Sequence, residues 1–341
     1  MNTSRALDAI RSRWYVALPV AVVVGGVLIP LAYLLLRAAQ ADPQTLWDLV
    51  ARGRTVRLLG NTVGLTVGVL VGTSLLAVPM AWLTTRTALP GRKLLTLLGV
   101  LPLAVPGYVM AYALLATTGP YGTLAQTLGL VVPRLSGYTG AVLALSLSTF
   151  PYLFLNLRTA FLGLDPALEE SAQALGHSRW QVFVRIVLPQ LRPALLAGGL
   201  LIALHVLGDF GVVSLMRYDT FSYALYIQYA ASYDRIYAAG LALLLLMLTA
   251  AILVLEARLL KGRLFHQTSS GTARSATLHR LGAWRWVGYA FALSVAGASV
   301  VLPAGTVGYW MADSAATGLP WAGLGTALWD SVRASAPAAV L

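Results

Sequence analysis

Asp165-Pro-Ala-Leu-Glu-Glu-Ser-Ala-Gln-Ala-Leu-Gly176-His-Ser-Arg-Trp-Gln-Val-Phe-Val-Arg-Ile186-Val-Leu188-Pro189 is a polar stretch between two long apolar runs, 138–157 and 192–215. Its local signals are those of two short helices. Asp165 can cap a helix that has Pro166 at its first position, with Glu169 and Glu170 in the early turns, where the helix dipole favours acids. Gly176 ends that helix, because glycine accepts the left-handed cap conformation. Ser178 can start a second helix on which Trp180, Phe183 and Val187 share one face, and Pro189 is expected to break it before the next span. An aromatic ridge at a membrane face either lies on lipid or fits a partner's groove.

Outward from this stretch, apolar runs of about 20 residues, the length that crosses a bilayer, recur. They lie at 15–37, 56–84, 94–117, 138–157, 192–215, 237–257 and 286–310, and an eighth begins near Ser331. Each must be a helix, since lipid offers no partner for backbone N–H and C=O groups. The expected fold is therefore an all-α polytopic membrane protein with about seven complete transmembrane helices and the start of another. The chain is 58% hydrophobic and 11% charged, against about a quarter charged in soluble domains, which excludes a water-soluble fold. With no cysteine, disulfides and thiolate metal sites are excluded, and His177, His205, His266 and His279 show no metal-ligand spacing. The net charge of +12 comes from basic residues between the apolar runs, so it speaks for a lipid bilayer as the surrounding partner and not for nucleic acid. No small-residue cleavage site followed by a polar chain comes after the first span, so it reads as a retained helix.

Lysine and arginine set the expected orientation. With the N-terminus cytoplasmic, the inside segments hold Arg5, Arg11, Arg13, Arg86, Arg92, Lys93, Arg158, Arg179, Arg185, Arg192, Arg258, Lys261, Arg263, Arg274, Arg280 and Arg285, leaving eight basic residues outside. Arg52, Arg54 and Arg57 are the awkward outside cluster, expected on an interfacial helix before the second span. Gly64, Gly68 and Gly72 either let two helices approach closely or are ordinary glycines in an apolar helix. Pro79, Pro102 and Pro106 imply kinks. Residues 259–284, centred on Ser269, Ser270, Gly271 and Thr272, read as a cytoplasmic linker. Beyond it Val300-Val301-Leu302-Pro303 resembles Val27-Leu28-Ile29-Pro30, and Asp330-Ser331 echoes Asn61-Thr62. The expected division is a first permease-like half at 1–258, the linker at 259–284, and the start of an incomplete second copy at 285–341.

The loop resembles the signature loop of ABC importer permeases: Glu-Ala-Ala, three residues, Gly, nine residues, Ile, one residue, Leu-Pro. Glu170, Ala172, Gly176, Ile186, Leu188 and Pro189 fall at the matching positions, with Ser171 in place of the first alanine. The resemblance implies the type I ABC importer permease fold and an inner-membrane location in a bacterium. It implies that the loop 165–190 docks on a dimer of cytoplasmic ATPase subunits, with Trp180 and Phe183 as the ridge, Gly176 as the bend, and Glu170 holding the loop against the ATPase or the helix ends. ATP and Mg would sit on that partner, with no cofactor and no catalytic residue here. No Gly-Lys-Ser or Gly-Lys-Thr phosphate cradle occurs in this sequence.

Leu101-Pro102-Leu103-Ala104-Val105-Pro106-Gly107-Tyr108, the run from Thr149-Phe150-Pro151-Tyr152 to Arg158, and Leu207-Gly208-Asp209-Phe210-Gly211 with Tyr226 look like the ferric iron permeases. Those are fused two-half proteins supplied by a periplasmic binding protein, which implies that binding protein and a second permease half as further partners. Asp209, the one acid well inside an expected span, is either a pathway carboxylate suited to Fe³⁺ or the cap of a helix break. Tyr108 and Tyr152 either line the path or belong to the aromatic belt. Thiamine, polyamines and oxyanions such as sulfate are alternative substrates. An ion-gradient-driven secondary transporter is the alternative of another class, for which only Asp209 and His205 offer intramembrane relay groups.

Overall fold

The computed structural model describes residues 3–40, 42–230, 235–260, 278–317 and 321–340. Its regular elements are helical. In chain order they are α1 Thr3–Ala39, α2 Pro43–Ala51, α3 Gly53–Arg86, α4 Arg92–Val100, α5 Gly107–Thr117, α6 Thr123–Leu128, α7 Gly137–Leu162, α8 Pro166–Ala174, α9 Arg179–Val182, α10 Leu188–Gly208, α11 Gly211–Leu215, α12 Phe221–Ala230, α13 Arg235–Leu260, α14 Arg285–Ala296, α15 Leu302–Thr317 and α16 Trp321–Val340. Among the described residues, six spans are long and apolar enough to cross a membrane: Ala17–Ala39, α3, α7, Arg179–Gly208, α13 and Gly282–Ser314. A seventh crossing counts if Arg92–Ala104 and α5 are taken as one broken span. That pair, expected as a kinked helix over 94–117, is bent by 95°. Pro102 and Pro106 explain the sharpness, since each removes a backbone donor and the 3-10 turn Leu101–Ala104 takes the chain round the corner. The helix expected to open near Ser331 instead opens at Trp321.

α7 is the centre. Of its apolar window 72% is buried, and Leu145, Phe150, Leu153, Phe154 and Leu157 are inaccessible or nearly so. α3, α5 and α10 pack around it, leaving Leu143, Tyr152 and Leu155 exposed. In lipid the contact is won by close approach rather than by the hydrophobic effect. At Gly68 a methyl would strike the Tyr138 hydroxyl, and at Gly72 it would strike Ser146, so two of the three spaced glycines are the approach surface of α3 on α7. Gly64 meets nothing in this way, but its carbonyl accepts a bond from the Tyr138 hydroxyl at 3.2 Å. Along α3 the hydroxyls of Thr62, Thr66, Thr73, Thr84 and Thr85 each donate to the carbonyl four residues back. Threonine can therefore be buried there with its polar atom satisfied.

The basic cluster lies elsewhere than expected. α2 is a short helix before the second span, but Arg52 is the extended residue between α2 and α3, and Arg54 and Arg57 stand in the first turns of α3 itself. Arg52 lies over the Tyr237 ring at 5.5 Å, which gives the cation an aromatic face. Of the linker expected at 259–284, residues 261–277, including Ser269, Ser270, Gly271 and Thr272, lie outside the described residues. After them the chain is tied to the first part of the molecule. The His279 amide donates to the Arg86 carbonyl at 2.9 Å and the Ala88 amide to the His279 carbonyl at 3.0 Å. Tyr289 donates to the Pro90 carbonyl at 2.8 Å.

Candidate functional site

The loop folds as its caps dictate. The Asp165 carboxylate accepts from the Ala167 amide at 3.0 Å and starts α8. At the other end Gly176 has φ +86°, its amide donates to the Gln173 carbonyl, and the His177 amide donates to the Ala172 carbonyl. This pair of bonds is a Schellman closure, which needs a residue tolerant of positive φ where Gly176 stands. Ala172 supplies the last closing carbonyl and a small buried side chain. Ser178 and Gln181 then form a reciprocal capping box that opens α9. Trp180 and Phe183 stack with centroids 5.9 Å apart, and Trp180 remains 70% exposed. Val187, expected on the same ridge, is turned into the core.

Pro189 does not break the helix. Residues Phe183–Val187 form a π turn in which the Leu188 amide reaches back to the Phe183 carbonyl, and α10 continues through Pro189. The wider turn absorbs the missing N–H and relieves the clash of the proline ring with the carbonyl of Arg185. Ile186 and Leu188 are half-buried in and beside that turn. The same device recurs at Gly297–Val301 ahead of Pro303, where the Leu302 amide donates to the Gly297 carbonyl. α1, by contrast, is α-helical through Pro30.

The loop is tied to the bundle by an ion pair that the sequence reading did not single out. Arg86 Nη2 lies 3.1 Å from Glu169 Oε1, with side chains only 6% and 16% exposed. Neither atom has an aligned hydrogen bond, so the contact is chiefly coulombic. Glu170, the acid at the signature position, is exposed one residue further on. Arg86 ends a span and Glu169 begins a loop helix 83 positions later, so only folding brings them together. Between α3, the loop and the segment 279–281 lies a cavity of about 490 Å³, bordered by Trp82, Arg86, Phe161, Glu169, Phe183 and Leu281 among others.

Asp209 stands one residue beyond the span Arg179–Gly208. Its Oδ1 accepts from the amides of Val212 at 3.0 Å and Val213 at 3.3 Å, so it caps the break between α10 and α11. Burial pushes its carboxyl above the ordinary carboxylate range, and the two amides and His205 pull it back. Ser222 donates to the Asp209 carbonyl at 2.6 Å, fixing the turn from the far side. Tyr108 lies against Gly211, where an added methyl would come within 3.2 Å of its Cβ, and Tyr152 faces His205 with centroids 6.2 Å apart. Tyr108, Tyr152 and His205 are all exposed. Tyr152 thus lies beside α10 and Tyr108 beside the start of α11, the two helices that Asp209 separates. Phe210, in the same break, is tilted against Tyr226 with ring centroids 4.4 Å apart.

The chain is similar in sequence and fold to known proteins. The chain is 32% identical over 218 residues to the Fe(3+)-transport system permease protein FbpB 2 of Haemophilus influenzae, a match covering 64% of this chain and 40% of that protein. It is 32% identical over 190 residues to the sulfate transport system permease protein CysT of Escherichia coli, covering 54% of this chain and 68% of the relative. It is 37% identical over 133 residues to the molybdenum transport system permease protein ModB of Escherichia coli, covering 38% and 58%. The fold is similar to that of a bacterial ABC transporter involved in the import of alginate. The TM-score is 0.58 at 17% identity, over 75% of this chain and 98% of the other. The family model for the binding-protein-dependent transport system inner membrane component matches residues 64–261, and this multi-pass membrane chain belongs to that family.

Proposed function

We propose that the chain is a membrane-spanning permease subunit of an ATP-driven importer, carrying ferric iron handed over by a periplasmic binding protein. The observation that carries the coupling role is the build of the loop. Two capped helices meet at a left-handed glycine, an exposed Trp180 is stacked on Phe183, and a buried ion pair ties α8 to the end of α3. Such a rigid knob suits docking in a groove of a cytoplasmic ATPase dimer that holds ATP and Mg. Glu170, Ala172, Gly176, Ile186, Leu188 and Pro189 shape or border it. The N-terminus is cytoplasmic in this reading, by the lysine and arginine asymmetry. Residues 1–258 form one permease half, and residues 285–341 begin a second that completes the pathway. The iron relative supports the substrate, with Asp209, Tyr108 and Tyr152 along the path.

One observation favours a second reading, an oxyanion. The Asp209 Oδ1 accepts from two backbone amides, and Tyr108, Tyr152 and His205 stand exposed as hydrogen-bond donors on the residues around that break. Vesicles holding the chain, its ATPase and a binding protein would be assayed for uptake of radioactive iron, sulfate and molybdate. Iron uptake is expected, and it should fall at least about tenfold in Trp180→Ala, the loss typical of an aromatic anchor. Uptake of sulfate or molybdate alone would replace iron with the oxyanion reading. Undiminished uptake and ATPase association in Trp180→Ala and Gly176→Asp would overturn the coupling role.

A further inference from the structure

At Arg86 three pieces of the chain meet. Its side chain reaches Glu169 of α8 at 3.1 Å, and its carbonyl accepts the His279 amide at 2.9 Å. The Ala88 amide donates to the His279 carbonyl at 3.0 Å, so Thr87 and His279 pair as parallel extended residues. Thr87 and Leu89 are buried at this junction. The later span is fastened again a few residues on. Tyr289 of α14 donates to the Pro90 carbonyl at 2.8 Å, and a methyl added at Gly288 would come within 3.0 Å of Leu83 and 3.6 Å of Leu89. The loop, the end of α3 and residues 279–281 also border one cavity. α1, by contrast, lies along α13.

We infer that Arg86 is a positioning residue for energy coupling. Its side chain takes up the movement of the loop, and its carbonyl passes that movement to residues 279–281 and the span Gly282–Ser314. The inference rests on the loop being the place where the ATPase docks. Its physical basis is stiffness along a contiguous path. A close-packed interior has low compressibility, so a displacement on one side is carried across it and not absorbed. A buried charge that leaves its partner is stranded where water solvates it poorly, and a paired backbone group that loses its bond is left unsatisfied. The loop, the end of α3 and the start of the later span therefore move as one body.

The full chain with its ATPase and binding protein would be placed in vesicles. The measurement is uptake per ATP hydrolysed, with radioactive iron, sulfate or molybdate, whichever the vesicles take up. His279→Pro deletes the N–H that bonds to Arg86, and should lower this ratio about fivefold, the worth of one hydrogen bond. Tyr289→Phe deletes only the hydroxyl donor to Pro90 and should lower the ratio in the same direction. A merely structural role would reduce the amount of folded chain and leave the ratio alone. Thr87→Cys with His279→Cys supplies a second measurement. Once the loss of free thiol shows the disulfide formed, uptake should equal that of the reduced chain. Uptake lost on oxidation and regained with dithiothreitol would overturn the inference, because residues 279–281 would then have to part from α3 in each cycle. An unchanged ratio in folded His279→Pro would overturn it too, as would an unchanged ratio in Tyr289→Phe if His279→Pro does not fold. ATPase association undiminished in Trp180→Ala and Gly176→Asp would instead mark failure of the coupling reading, and the inference would fall with it.

Discussion

At the last turn of α3, Arg86 faces Glu169 across 3.1 Å with almost no access to water. Removing one member of such a pair strands the other charge, so Arg86→Ala or Glu169→Ala should each destabilise the chain by about 3 kcal/mol. Arg86→Met with Glu169→Leu together should recover much of that loss. A double-mutant cycle on unfolding in mixed micelles measures it, and additive losses would mean that the pair is not coupled. Gly176 is held by its φ of +86°, so Gly176→Ala should cost on the order of 1 kcal/mol through backbone strain alone. Ser178→Ala should cost about as much by removing the capping box. Both caps are readable in the sequence because they depend on residues within five positions of one another. Arg86–Glu169 is not, because nothing local marks which of two adjacent acids turns inward.

At the scale of elements, the α3–α7 contact depends on small residues. Gly72→Leu should push α3 off α7 at Ser146 and lower the folded yield in membranes severalfold. Gly64→Ala should be tolerated, since nothing lies within 4 Å of an added methyl. Folded yield by fluorescence-detected size exclusion distinguishes the two, and equal loss would refute the assigned interface. The π turn at Phe183–Val187 carries a second expectation. Pro189→Ala restores the N–H and removes the ring, so the turn can relax to α and rotate α9 by about 100° relative to α10. Quenching of Trp180 by aqueous acrylamide should then change, and an unchanged profile would show that the turn does not depend on the proline.

Across the whole molecule, the spans are not equally embedded. The apolar window of Ala17–Ala39 is 0% buried and that of Gly282–Ser314 is 33% buried. The later span lies against the first part of the bundle, α15 along α5 and α14 beside α3 and α4. It is pinned by the bridge between Thr87 and His279. Paired backbones in such a bridge lie about 5 Å apart, within reach of a disulfide. Thr87→Cys with His279→Cys should therefore crosslink on mild oxidation, in a chain that has no cysteine of its own to confuse the result. Failure to crosslink would place residues 278–281 elsewhere.

The sequence by itself determined the apolar spans and the two capped helices of the loop, while which of the spaced glycines face α7 was left to the structure. Span length and caps act over a turn or two of helix or over a single span, and no distant residue can change what they require. Only the tertiary structure decided that 94–117 turns through 95°, that Pro189 rides on a π turn, and that Asp209 caps a break instead of standing inside a span. It also decided that Glu169 is the acid that ties the loop to the end of α3. The reason is common to all four. A proline offers several ways round its missing donor, and a carboxylate can cap, pair or face water. Packing against residues far away in the chain selects among states that the local sequence leaves close in energy.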